Sequence, residues 1–217
     1  MTERTITATT HGRYVVATPV DAGPAPLLLG FHGYAEAAEA QLERLRAIPG
    51  AERWLIVSVQ GLNRFYQRRT DEVIAGWMTR QNRELAIADN LAYVASVVDA
   101  VSREWSTTST LVCAGFSQGV AMTFRAAAAT SRTVAGVIAV GGDVPPELDV
   151  TALGRVKTAL VCHGARDEWY TAEMFARDVG RLREADVKVT SLDFQGGHEW
   201  SADVAAAASA FLREHHP

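Results

Sequence analysis

A serine, an aspartate and a histidine stand where one fold could bring them together. Leu111-Val112-Cys113 leads into Gly115-Phe116-Ser117-Gln118-Gly119, and an alanine-rich run follows. This is G-x-S-x-G between a strand-forming and a helix-forming segment, the setting in which a strained turn lifts a serine hydroxyl clear of a sheet edge. A serine hydroxyl is a poor nucleophile at neutral pH. It needs a base, and the base needs a partner that fixes its tautomer and stabilises the imidazolium. Asp167 and His198 follow Ser117 in the order acid then histidine, each just past an apolar strand-like run. Asp143 follows another such run and is the rival for the acid. An acyl-transfer oxyanion also needs preorganised donors. The backbone N–H of Gln118, at the start of the elbow helix, and that of Tyr34, after Phe31-His32-Gly33, are the candidates. His32 reads as a brace for that loop, and His163 as structural.

These residues are useful only if the elements between them return to one edge. Leu27–Phe31, Trp54–Val59, Leu111–Phe116, Val134–Val140, Ala159–Cys162 and Lys188–Phe194 read as buried strands. Helices are expected over 38–45, 83–105, 121–129, 170–185 and 201–213. In the longest, Ile87, Leu91, Val94, Val98 and Val101 form one apolar stripe. Ile6–Thr10 and Tyr14–Thr18 read as an N-terminal hairpin turning at His11-Gly12, and 62–82 as a long irregular connection. The expected class is α/β: three layers, a mostly parallel sheet, an antiparallel N-terminal hairpin and one domain over 1–217. In such sheets ligands bind beyond the C-terminal strand ends, where His32, Ser117, Asp143, Asp167 and His198 all fall.

The totals narrow the partners. With 217 residues, 48% hydrophobic, the chain can bury a substantial core. A net charge of -4 gives no basis for nucleic-acid binding. The start, Met1-Thr-Glu-Arg-Thr-Ile, is unlike a signal peptide, and no apolar run is read as approaching the roughly 20 residues of a membrane span. The expectation is a cytoplasmic protein without stable membrane insertion, with a homodimer left open. Cys113 and Cys162 lie inside apolar runs and read as buried hydrophobes. His215 and His216 read as a frayed end. No metal-ligand spacing, phosphate loop or dinucleotide fingerprint is present, so no metal or cofactor is expected.

With Phe31-His32-Gly33, Gly115-Phe116-Ser117-Gln118-Gly119, His163-Gly164 leading to Asp167, and Gly197-His198 in place, the chain resembles the α/β-hydrolase superfamily. Within it, the chain is most similar to the phospholipase/carboxylesterase group, which includes the acyl-protein thioesterases. Gly76-Trp77 also resembles the tryptophan that group carries before its long helix. The resemblance implies an α/β-hydrolase fold and cofactor-free hydrolysis of carboxylic esters or thioesters. It assigns Ser117 as nucleophile, Asp167 as acid, His198 as base, and Tyr34 and Gln118 as oxyanion donors. The chain departs from the group at Ala35-Glu36 (usually Gly-Asp), Val120 (usually Gly) and Met78-Thr79 (usually an aromatic and Asp). These positions border the pocket, so they bear on acyl specificity more than on catalysis.

Phe65, Tyr66, Trp77, Met78, Trp169 and Trp200 fall near the catalytic edge and are the candidate pocket residues. There is no long insertion between Asp143 and Asp167 to form a large lid. The expected substrate is a small-molecule ester of short to medium acyl chain, with thioesters and lysophospholipids left open. Two alternatives remain at this stage: acyl transfer or perhydrolysis by the same triad, and a non-catalytic binding protein of this fold.

Overall fold

A computed structural model of the chain describes residues 1–216; Pro217, the last residue of the expected single domain, lies outside them. Along the chain run β1 (Arg13–Ala17), β2 (Ala25–Phe31), α1 (Ala38–Arg46), β3 (Leu55–Gln60), β4 (Asn63–Tyr66) and β5 (Val73–Gly76). Then come α2 (Arg83–Glu104), β6 (Thr107–Phe116), α3 (Gln118–Ala129), β7 (Val134–Val140) and α4 (Val150–Leu153). The chain closes with β8 (Thr158–Gly164), α5 (Ala172–Glu184), β9 (Lys188–Phe194) and α6 (Ala202–His215). Seven strands form one sheet in the order β1-β3-β2-β6-β7-β8-β9, with β1 antiparallel and the rest parallel.

The apolar runs explain why both faces are covered. Side chains alternate across a strand, so Leu27, Leu29 and Phe31 of β2 enter one core with Val94 and Val98 of α2, Phe124 of α3 and Leu182 of α5. Leu28 enters the other core, with Leu45 of α1 and Phe211 of α6. Each leucine buried this fully contributes about 1.5–3 kcal/mol of transfer free energy. Cys113 and Cys162 are buried in opposite cores, where burial pushes each thiol up to about 12.

The structure differs from the sequence expectations in four places. Ile6–Thr10 forms no strand. Ile6 is its one large apolar residue and is exposed, so the segment has nothing to bury. β1 pairs instead with the edge of β3 over five residues, from Arg13↔Gln60 to Ala17↔Ile56. The antiparallel hairpin lies inside 62–82, where β4 and β5 pair from Asn63↔Gly76 to Tyr66↔Val73. Its turn has no glycine or proline; Asp71 takes the left-handed conformation, at φ 55. α2 is long and apolar enough by length and composition to cross a membrane, contrary to the expectation, although here its Val94, Val97, Val98 and Val101 face is buried. Finally, α6 continues to His215, whose Nε2 meets Thr158 Oγ1 at 2.9 Å, where a frayed end was expected.

Candidate active site

The elbow is held by close backbone approach. β6 buries its last six residues and ends at Phe116. Ser117 follows with φ 51 and ψ -123, a conformation that L-residues adopt only under constraint. Its N–H donates to Val140 O at 2.9 Å. A Cβ at Gly115 would lie 2.2 Å from Thr123 Oγ1, and one at Gly119 would lie 2.2 Å from Phe31 O. Both positions therefore need glycine. Gln118 opens α3, so its N–H lacks an intrahelical acceptor and sits at the positive end of the helix dipole.

The loops after β8 and β9 are stitched together. Ala165 N–H donates to Phe194 O and Arg166 N–H to Gly196 O, each at 2.8 Å. A Cβ at Gly164 would strike Gly197 O at 2.2 Å. The stitching brings Asp167 and His198 into contact. Asp167 is buried, and its Oδ1 accepts the N–H groups of Trp169 (2.8 Å) and Tyr170 (3.0 Å). Its Oδ2 lies 2.8 Å from His198 Nδ1. A carboxylate is an acceptor, so this contact assigns the proton to Nδ1 and leaves Nε2 as the basic nitrogen. The His198 ring rests on Phe116, with centroids 5.0 Å apart. Asp143 makes no such contact. Its charge falls on Arg125, Tyr170 and Asp178. Ser117 and His198 line one cleft of about 460 Å³ with Gly33, Tyr34, Phe116 and Trp200.

The Tyr34 loop is aimed from beneath. His32 is fully buried, and its Nε2 accepts Gly61 N–H at 2.9 Å. Nδ1 therefore carries the proton and donates to Gly33 O at 2.7 Å. In a trans peptide the C=O and the next N–H point in opposite directions, so fixing Gly33 C=O turns Tyr34 N–H away from His32. Burial holds the His32 pKa below its ordinary value, which preserves this neutral tautomer. Trp77 Nε1–H donates to His32 O at 2.8 Å. The Gln118 side chain accepts Trp77 N–H (2.8 Å) and donates to Met78 O (3.3 Å). Asn90 on α2 donates to Trp77 O at 2.7 Å.

The candidate pocket residues disperse. Trp200 lines the cleft. Trp77 does not: it is fully buried behind the Tyr34 loop, against Phe31 and His32. Met78 packs toward the core and meets Arg125 through its sulfur. Phe65 touches the exposed Tyr34 ring, whereas Tyr66 is exposed on the outer hairpin strand. Trp169 is 79% exposed, with its ring 6.5 Å from that of His198. Glu36, expected from sequence to border the pocket, lines the cleft. Among residues not singled out from sequence, Arg44 lines the cleft and Asn90 holds Trp77 O. The signal at Asn90 was readable, because a polar residue stands on a buried helical stripe between Ile87 and Val94. Arg44 gave no signal, since an arginine on an amphipathic helix reads as solvated. His163 is buried, paired with Asp193 and stacked on Phe175, as a structural histidine would be.

Comparison with known proteins gives a consistent picture. The profile of the phospholipase/carboxylesterase family matches residues 23–216. No curated protein matches the chain in sequence. Among solved structures, esterase PE8 is 18% identical, with a TM-score of 0.73 over 95% of this chain and 100% of that one. The carboxylesterase of Bacillus cereus is 16% identical, with a TM-score of 0.71 over 94% of each chain. Acyl-protein thioesterase 2 of Zea mays is 16% identical, with a TM-score of 0.71 over 94% of this chain and 99% of its own. At such identities these likenesses concern the fold.

Proposed function

Since this chain belongs to the phospholipase/carboxylesterase family, and is a carboxylic ester hydrolase of the α/β-hydrolase fold, we propose that it works through Ser117, His198 and Asp167 on esters of short to medium acyl chain. The observation that carries this reading is the 2.8 Å contact between His198 Nδ1 and Asp167 Oδ2, made where His198 shares a cleft with the elbow serine.

Ser117 Oγ attacks the ester carbonyl carbon while His198 Nε2 takes its proton. Asp167 holds the ring and stabilises the imidazolium. The carbonyl oxygen becomes an oxyanion facing the N–H groups of Tyr34 and Gln118, donors that need no reorganisation because their backbones are already fixed. Collapse breaks the bond to the leaving alkoxide, which takes the proton from His198. Water then repeats the sequence on the acyl-serine: His198 removes its proton, and Ser117 leaves as the free acid is released. The β7–β8 connection carries only the four-residue α4, which supports a site without a large lid and hence soluble substrates.

A fluorophosphonate probe and p-nitrophenyl butanoate test the proposal together. The expected result is covalent labelling and turnover, with Ser117→Ala abolishing labelling and lowering kcat by about 10⁴-fold or more. Undiminished turnover in Ser117→Ala would refute it.

A further inference from the structure

Arg44, on α1, reaches the same cleft as Ser117 and His198. Its guanidinium carbon lies 4.3 Å above the centroid of Phe116, the ring on which His198 rests. Two parallel bonds clamp it to Glu36: Nη1–H to Oε2 at 2.6 Å and Nη2–H to Oε1 at 2.5 Å. Glu36 Oε2 also accepts Gly33 N–H at 2.7 Å. Each side chain of the pair is 21% exposed. Burial pushes the Glu36 carboxyl up, but the bonds and charge of Arg44 outweigh it and hold the group below its ordinary value. The pair is therefore ionic at neutral pH. The other Nη1 proton reaches Gln41 Oε1 at 3.4 Å. Among the described residues, Nε–H and the second Nη2 proton have no acceptor.

An ester arm laid along Phe116 thus meets a fixed guanidinium at the Arg44 end of the cleft. A long alkyl chain would have to cover this half-buried ion pair and strip its remaining water, an uncompensated cost. A short arm stops before it. An arm carrying a hydroxyl, carbonyl or carboxylate gives the free N–H groups an acceptor.

We propose that Arg44, clamped by Glu36, is a specificity-determining residue that restricts one ester arm to short, oxygen-bearing groups; this rests on the ester-hydrolase reading above. Two substrate pairs test it: p-nitrophenyl butanoate against octanoate, and butyl against octyl acetate, with 4-hydroxybutyl acetate added. The double variant Glu36→Gln/Arg44→Met removes both charges together, so neither is left unpaired. Its long-to-short ratio of kcat/KM should rise about tenfold or more in one series, within the range that methylene-scale discrimination spans. Where the shift falls in the acetate series, the advantage of hydroxybutyl over butyl acetate should disappear with it. Arg44→Lys, which keeps a charge at this end of the cleft, should leave the ratio low. If the double variant does not fold, Arg44→Gln carries the same expectation at smaller amplitude. A ratio unchanged within about twofold in both series overturns the proposal. Calorimetric binding of the same esters to Ser117→Ala forms separates the two readings. A shifted binding ratio without turnover in any Ser117 form would sink the triad and keep the role of Arg44. Intact turnover with no shift would do the reverse.

Discussion

The two sides of Ser117 are fastened by different means. On the proposed oxyanion side the fastening is done by side chains, with His32, Trp77 and Asn90 buried. His32 grips Gly33 and Gly61, Trp77 grips His32, and Gln118 and Asn90 grip the backbone of Trp77. On the acid–base side it is done by backbone against backbone. The loops after β8 and β9 bond main chain to main chain, and Gly164 lies so close to Gly197 that no Cβ fits between them. Asp167 itself is oriented by two backbone N–H groups. A side-chain network fails when one remote residue is changed. A backbone contact tolerates most side-chain changes around it and fails when a Cβ is inserted.

The largest test lies at the centre of the acid–base side. Asp167→Asn should lower kcat by about 10³–10⁴-fold, because the amide favours the wrong histidine tautomer. Asp143→Asn should stay within about threefold, since that carboxylate acts on Arg125, Tyr170 and Asp178 rather than on His198. Steady-state kinetics on both proteins would reveal the reverse ranking if the acid has been misassigned. A smaller effect is expected from Gly164→Ala. The added methyl meets Gly197 O and must push the His198 loop outward, and a shift of about 1 Å can cost about 10²-fold in rate. KM should change far less than kcat. A kcat close to wild type would show that the two loops can part without disturbing the pair, and the contrast between the two sides would collapse.

How much of this could be read in the sequence follows the same division. The strands were legible because runs such as Leu27–Phe31 and Val134–Val140 are apolar on both faces, a pattern that only a covered sheet accepts. The elbow was legible because close backbone approach demands glycine at Gly115 and Gly119. The hairpin β4–β5 was not, because Asn63–Tyr66 is exposed throughout and carries no buried alternation. Ile6–Thr10 misled because β-formers alone do not supply a partner edge. In the site, chain order gave the residues and left Asp143 open against Asp167, because both follow strand ends; only three-dimensional distance separates them. Trp77 was misjudged because an aromatic near a cleft can serve the pocket or the scaffold, and its N–H bond to His32 O makes it scaffold.

The smallest effect is on stability, and it sharpens the oxyanion side. Burial holds His32 below its ordinary value of 6.5 in the folded chain. When the chain unfolds, that imidazole regains water and binds a proton as the pH falls past about 6.5. The unfolded state then holds more protons than the folded one, so stability rises with pH in this window. The contribution of His32 is complete above the unfolded value and is lost as pH falls toward the depressed folded value. His215 is lowered by burial as well and acts in the same direction, while Glu36, also lowered, adds its loss only at more acid pH, below its ordinary value of 4.5. His32→Gln removes one of these contributions and leaves the others. Urea unfolding at pH 7 and pH 5 should therefore show a larger fall in stability for wild type than for His32→Gln, the difference bounded by about 1.4 kcal/mol per proton and pH unit. Equal falls would mean that His32 titrates normally in the fold. Its Nε2 could then be protonated at ordinary pH, the bond from Gly61 N–H would be lost, and the argument that aims Tyr34 N–H through Gly33 would lose its footing.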